Sequence, residues 1–213
     1  MSVLNRIAHF QNRRDEVPNQ ELARDLAEQK DHEGIREIAE NLWNKDKNIQ
    51  ADCVKVLYEI GYIDPSLVAN YAEDYLKLLR SRHNRLVWGG MIALSTVAEI
   101  RADFIHTHLG EILKAMRAGS VITVDSAVKA LALAASKDAY RPSIFPHLLE
   151  HLRTCRPKDV PQHSEKSLPA VDASNKEDFI AVLEMRMEDL SGAQVTRVKK
   201  VIKEAKIAND TDH

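Results

Sequence analysis

Apolar residues return at one constant interval through the middle of this chain. Leu94 lies 37 residues after Leu57, and Leu131 lies 37 residues after Leu94. An interval of this length is typical of arrays in which one supersecondary unit is repeated and each copy packs on the next. The chain is therefore restricted to folds built from stacked, similar units.

Each unit contains two helices. Leu42, Leu79 and Met116 show the same interval in the segment before each of the leucines above. In both segments, apolar residues recur at the i, i+3/i+4 and i+7 spacing of a helix that buries one face. Small residues precede each second-segment leucine by four positions and predict close packing between helices: Cys53, Gly90, Ala127 and Ser164.

The pattern gives a coarse helix map over the whole chain. Few glycines and an aromatic content of 5% favour helices over sheets. We expect a single domain over 1–213, with N-terminal cap helices in 1–31, repeats of about 37 residues in 32–172, and C-terminal cap helices with a frayed tail in 173–213. The predicted helices are 2–12, 19–30, 33–44, 48–61, 65–81, 84–99, 103–118, 121–136, 143–153, 160–171, 175–190 and 192–207. Pro169 lies within the helix over 160–171 and predicts that this helix is short or kinked.

The repeated second helix resembles that of a known family. Segments 54–61, 91–98 and 128–135 carry the pattern V/A–A–L–x–x–I/V–G/A, which is similar to HEAT repeats and close to armadillo repeats. The resemblance implies an all-α fold, a right-handed α-α superhelix of about four helix pairs with helical caps. It also implies that the second helix of each pair lines the inner face of the array.

A row of lysines on the second helices is the candidate binding surface. Lys55, Lys129 and Lys166 hold equivalent positions in three of the four repeats, and Arg85 and Trp88 lie on the helix between them. The leading hypothesis is a non-enzymatic scaffold or adaptor that binds an unknown protein or peptide here. Two alternatives remain: a DNA-repair type of HEAT-like protein that binds phosphates through the same face, and ordinary solvated lysines with Trp88 partly packed between helices.

Charge and location narrow the range of partners. The 30 basic and 32 acidic residues nearly cancel, which argues against nucleic acid as the partner. The sequence has no apolar run of membrane-spanning length and no signal peptide, so we expect a cytoplasmic protein with no membrane partner. Two distant cysteines are expected to be free thiols.

The chain carries no convincing catalytic motif. It has neither a G-x-S-x-G sequence nor a phosphate-binding loop, so we expect no enzymatic activity, no cofactor and no small-molecule substrate. The metal candidates are weak: His147 and His151 are four residues apart on one predicted helix, and His108 and Glu111 fall on the preceding repeat. The simpler interpretation is that these histidines lie on helix surfaces and that the chain holds no metal.

Overall fold

The computed structural model describes residues 2–207, which contain α-helices and short 3-10 helices and no β-strand. None of these helices is both long enough and apolar enough to cross a membrane. The α-helices within these residues are α1 (Val17–Gln29), α2 (His32–Glu40), α3 (Lys47–Ile63), α4 (Ala72–Leu78), α5 (Asn84–Val97), α6 (Ala102–Thr107), α7 (Leu109–Ala118), α8 (Val121–Ala135), α9 (Arg141–Thr154), α10 (Val160–Ser167), α11 (Lys176–Arg186) and α12 (Ala193–Ile207).

The second helices of the repeats pack side by side. Helix α3 contacts α5, α5 contacts α8, and α8 contacts α10. Leu57, Leu94 and Leu131 lie on three successive helices of this row, and all three are completely buried. The 37-residue interval therefore places Leu57, Leu94 and Leu131 in one continuous apolar core.

The small residues of the second helices are also buried. A Cβ atom on Gly90 would stand 2.8 Å from the carbonyl oxygen of Tyr75 and 2.9 Å from the Cβ atom of Leu78. Helix α5 therefore approaches α4 more closely than any larger residue allows. Cys53, Ala127 and Ser164 occupy the corresponding place in the other repeats and are fully buried.

Side chains fix where several helices begin. Asp31 accepts a hydrogen bond from the amide of Gly34 at 3.0 Å, and Asp46 accepts one from Asn48 at 2.7 Å. Each bond satisfies an amide that the first turn of a helix leaves without a partner. These caps set the starts of α2 and α3 and keep the two helices of the first repeat in register.

The predicted helix over 2–12 is wrong. Only Leu4–Arg6 form a 3-10 turn, and the following turns reach Asn12, whose φ of 52° lies in the left-handed region. The amide of Ala8 donates to Asn19 at 2.9 Å, and that of His9 donates to Asp52 at 2.8 Å. These tertiary hydrogen bonds hold the segment against α1 and α3 and replace the bonds of a helix.

Two other predicted helices can be compared with the structure. The helix expected from 65 begins at Ala72, after two 3-10 turns. Helix α10 ends at Ser167 and is followed by a 3-10 turn containing Pro169, so the predicted short helix is confirmed. Of the expected caps, Met1 and the tail over 208–213 lie outside the described residues.

Candidate binding face

Lys55 is not an exposed member of the lysine row. Its side chain is 9% exposed, and its ammonium lies 2.7 Å from Glu16 and 2.6 Å from Glu59. Burial alone would lower the pKa of Lys55, but the hydrogen bonds to these two carboxylates raise it above its ordinary value. The expectation that Lys55 faces solvent is wrong, because the N-terminal segment carries Glu16 onto this part of the face.

Lys129 is the least compensated cation of the row. Its ammonium lies 5.0 Å from the centroid of the Tyr62 ring, a cation–π contact. Within residues 2–207, no carboxylate forms an ion pair with it. Burial, and then the charge of Lys166, lower the pKa of Lys129. A half-buried ammonium with this environment is a ready partner for an incoming anion.

Lys166 is partly neutralised. Its ammonium donates to the backbone oxygen of Asp125 at 3.2 Å and lies 3.8 Å from the carboxylate of the same residue. It remains close enough to Lys129 to influence the charge there. Lys129 and Lys166 are therefore two half-buried cations on the adjacent helices α8 and α10, with the Asp125 carboxylate near Lys166.

Two tyrosines connect the lysines. Tyr58 and Tyr62 are one turn apart on α3, and their rings meet edge to face with centroids 5.9 Å apart. Lys55 lies 4.9 Å from the Tyr58 ring. The sequence predicted no role for either tyrosine, although their i, i+4 spacing puts both on one face of the helix. We call Lys55, Tyr58, Tyr62, Lys129 and Lys166 the lysine–tyrosine cluster.

Arg85 and Trp88 lie outside this cluster. Arg85 is half-buried and lines a cavity of about 250 Å³ together with Arg13, Glu16 and Asp52. Trp88 is half-buried and packs against the apolar core. The structure therefore places Arg85 beside the N-terminal segment. A part for either residue in partner binding stays a prediction.

The metal candidates named from the sequence do not form one group. His147 is exposed, and the His108 ring stacks on Phe104 with centroids 4.4 Å apart. Glu111 binds Arg80 through two contacts, one of them at 3.0 Å. The structure therefore does not bring the weak candidates His108, His147 and His151 together with Glu111.

His151 instead meets two residues that the sequence did not indicate as ligands. Its Nε2 atom lies 2.9 Å from Nδ1 of His163, and the thiol of Cys155 completes a group with ligand atoms within 4.8 Å of one another. Burial, and then the neighbouring His163, lower the pKa of His151 to about 4. The spacing of His151 and Cys155 was a usable signal, whereas His163 comes from another helix.

Solved structures show what this arrangement of helices resembles. An engineered protein is 18% identical, with a TM-score of 0.67 and both chains covered completely. A designed armadillo repeat protein in complex with the peptide (KR)4 is 12% identical, with a TM-score of 0.68 over 87% of this chain and 86% of its own. This chain has an armadillo-like helical repeat fold. A second designed armadillo repeat protein is 12% identical, with a TM-score of 0.65 over 95% of this chain and 98% of its own.

This armadillo-like chain is similar to these proteins in structure and not in sequence. No protein-family model matches its sequence, and no curated protein matches it significantly. The predicted all-α superhelix of stacked helix pairs is confirmed. A fold of this kind fits a binding scaffold, because stacking gives a long surface made from equivalent helix faces.

Proposed function

We propose that this chain is a non-enzymatic scaffold that binds an extended segment of a partner protein on its second-helix face. Within the lysine–tyrosine cluster, Lys129, Lys166 and Tyr62 form the anchor, and an acidic side chain of the partner is the group they recognise. The observation that carries the proposal is the half-buried ammonium of Lys129, which lies beside Lys166 and pairs with no carboxylate of residues 2–207.

The cluster offers two kinds of contact at one place. Lys129 and Lys166 supply charge-assisted hydrogen bonds, which are stronger than neutral ones. Tyr62 is 53% exposed and gives a flat apolar surface next to the ammonium. A peptide with an acidic residue next to an apolar one matches both contacts.

A similar fold supports peptide binding but with a different preference. The designed armadillo repeat protein above was solved with (KR)4, a peptide made only of basic residues. The second-helix face of this chain carries Lys129 and Lys166, so (KR)4 would meet like charges there. We therefore expect this chain to prefer acidic peptides.

The test uses two labelled synthetic peptides, one alternating Glu with Leu and the other (KR)4, with binding read by fluorescence anisotropy. We expect the acidic peptide to bind, and Lys129→Gln and Lys166→Gln each to weaken it about tenfold, because each removes one charge-assisted contact. Lys114→Gln is the matched control, since it makes the same change on the exposed surface of a first helix.

Three results would contradict the proposal. The first is that (KR)4 binds more tightly than the acidic peptide. The second is that neither Lys129→Gln nor Lys166→Gln weakens binding of the acidic peptide. The third is that Lys114→Gln weakens this binding as much as the cluster variants do. A labelled oligonucleotide forms a separate arm. If it binds, weakens steeply with salt and is lost in Lys129→Gln, the phosphate-binding alternative is correct instead.

A further inference from the structure

Three side chains with metal-binding atoms converge where α9 turns into α10. His151 and Cys155 lie one helical turn apart at the end of α9, and His163 faces them from α10. One ligand atom from each lies within 4.8 Å of the others. None of the three side chains belongs to the lysine–tyrosine cluster.

His163 is held in a fixed orientation. It is 1% exposed, and its Nε2 atom lies 2.6 Å from a carboxylate oxygen of Asp125 on α8. The carboxylate accepts a hydrogen bond from the Nε2–H group of His163. The Nδ1 atom of His163 therefore carries a lone pair, and this atom faces His151. An imidazole whose other nitrogen donates to a carboxylate is the arrangement that metal-binding histidines usually have.

The donor set selects the class of ion. Two imidazoles and a thiolate suit a borderline-soft cation such as Zn²⁺ and are poor ligands for Mg²⁺ or Ca²⁺. Three protein ligands leave a fourth position of a tetrahedral ion open. All three side chains border a cavity of about 270 Å³, which Val121, Thr154 and Asp159 also line and which has room for water or a small ligand.

We propose that His151, Cys155 and His163 bind one divalent ion of the zinc class, with Asp125 as the positioning residue for His163. On binding, the hydrogen bond between the two rings is replaced by two nitrogen–metal bonds, and His151 carries its proton on Nδ1. The thiol of Cys155 loses its proton to solvent and forms the sulfur–metal bond.

Binding requires a small movement. Nitrogens on a tetrahedral zinc ion are separated by about 3.3 Å, given bonds of about 2.0–2.1 Å. The rings of His151 and His163 are closer than this, with 2.9 Å between the facing nitrogens. His151 is half-buried and borders the cavity, so its ring can move outward, whereas His163 is fixed by Asp125.

The experiment uses the full chain, without a histidine tag, freed of metal with a chelator under reducing conditions. Co²⁺ is the probe, because a cobalt–thiolate bond gives a near-ultraviolet charge-transfer band and four-coordinate cobalt gives intense visible bands. We expect one Co²⁺ per chain with both features, and displacement by one equivalent of Zn²⁺.

Variants identify the ligands. Cys155→Ser should remove the charge-transfer band, and Asp125→Asn should weaken Co²⁺ binding about 10–100-fold by freeing the His163 ring. His151→Gln should weaken binding also, whereas His147→Gln, on the same helix but exposed, should not. Circular dichroism shows whether each variant is folded, and His163 is left unchanged because it is buried.

The proposal is overturned if excess Co²⁺ gives no charge-transfer band with the unaltered chain. It is also overturned if folded Cys155→Ser keeps the band or if His147→Gln loses as much affinity as His151→Gln. Each of these results leaves peptide binding by the lysine–tyrosine cluster untouched, because none of the three metal ligands belongs to that cluster and Asp125, which also contacts Lys166, is unaltered in the chains that give these results.

Discussion

Gly90 is a residue whose lack of a side chain decides how closely two helices pack. Its position on α5 faces the backbone of Tyr75, and a Cβ atom would come within 2.8 Å of that residue's carbonyl oxygen. Backbone cannot yield as a flexible side chain can, so α5 would have to shift as a whole.

We expect Gly90→Ala to lower the free energy of unfolding by about 1–3 kcal/mol through overpacking. The control is Gly110→Ala on α7, because a Cβ atom there has nothing within 4 Å. That variant should be unchanged or more stable by up to about 1 kcal/mol, since alanine favours helices. Urea unfolding of both measures the difference, and equal stability of the two would contradict the close approach at Gly90.

Cys53 shows how a residue that is chemically reactive in isolation becomes inert through its place in the repeat. It is fully buried, and burial raises the pKa of its thiol well above the ordinary value. Cys155 is half-buried, and burial again raises its pKa, partly offset by the charge of Arg186. The thiol of Cys155 borders a cavity, whereas that of Cys53 is enclosed by the apolar core, so the two cysteines have different chemistry.

At the scale of the element, the N-terminal segment over 2–16 acts as a strap across the first repeat. It has little regular structure of its own, and it is held by hydrogen bonds to Asn19 and Asp52 and by the ion pair between Glu16 and Lys55. The strap fills the end of the second-helix face, which leaves the part around Lys129 for a partner.

We expect Glu16→Gln to loosen this strap. Lys55 keeps only Glu59 as a carboxylate partner, and the loss should cost about 1 kcal/mol, because Glu16 is half exposed. Amide hydrogen exchange in 2–16 should become faster, while exchange in α8 stays the same. Glu21→Gln, which removes an exposed carboxylate from α1, is the control, and equal exchange in the two variants would contradict a role for the ion pair.

Arginines fasten other elements at their ends. Arg141 donates to the carbonyls of Ala135 and Ser136 at the end of α8, at 3.1 Å each. Arg186, on α11, donates to the carbonyl of Cys155 at 2.8 Å, just after α9. A guanidinium satisfies several terminal carbonyls at once, so each arginine closes a helix that has no glycine cap.

For the whole molecule, the sequence predicted what is periodic. The leucines at 57, 94 and 131, the small residues beside them and the order of helix pairs all follow from a spacing that stacking requires. Besides the late start of α4, the part that the sequence did not predict is the aperiodic N-terminal segment. Nothing in residues 2–16 repeats elsewhere, so the burial of Lys55 by Glu16 could not be read from the register.

The candidate sites divide in the same way. Lys129 and Lys166 were found because they share a repeat position, and Tyr62 lies on the same face. The metal group needs His163, whose repeat equivalents are Asp52, Gly89 and Ser126, so no pattern marks it. It is brought to His151 by the angle between α9 and α10, which depends on packing and on the turn between these helices rather than on spacing.

In a repeat array, a substitution in the core of one unit is expected to destabilise mainly the neighbouring units. Leu94 is completely buried on α5, which packs against α3 on one side and α8 on the other. Leu94→Ala should lower the free energy of unfolding by about 2–5 kcal/mol, measured by urea denaturation, because it leaves a cavity in the central layer.

Each unit contacts mainly its neighbours, so amide exchange in Leu94→Ala should rise most in α3, α5 and α8 and least in α12. An unchanged urea midpoint would show that the 37-residue register does not place Leu94 in the core, and a uniform rise in exchange would show that the array unfolds as one cooperative unit.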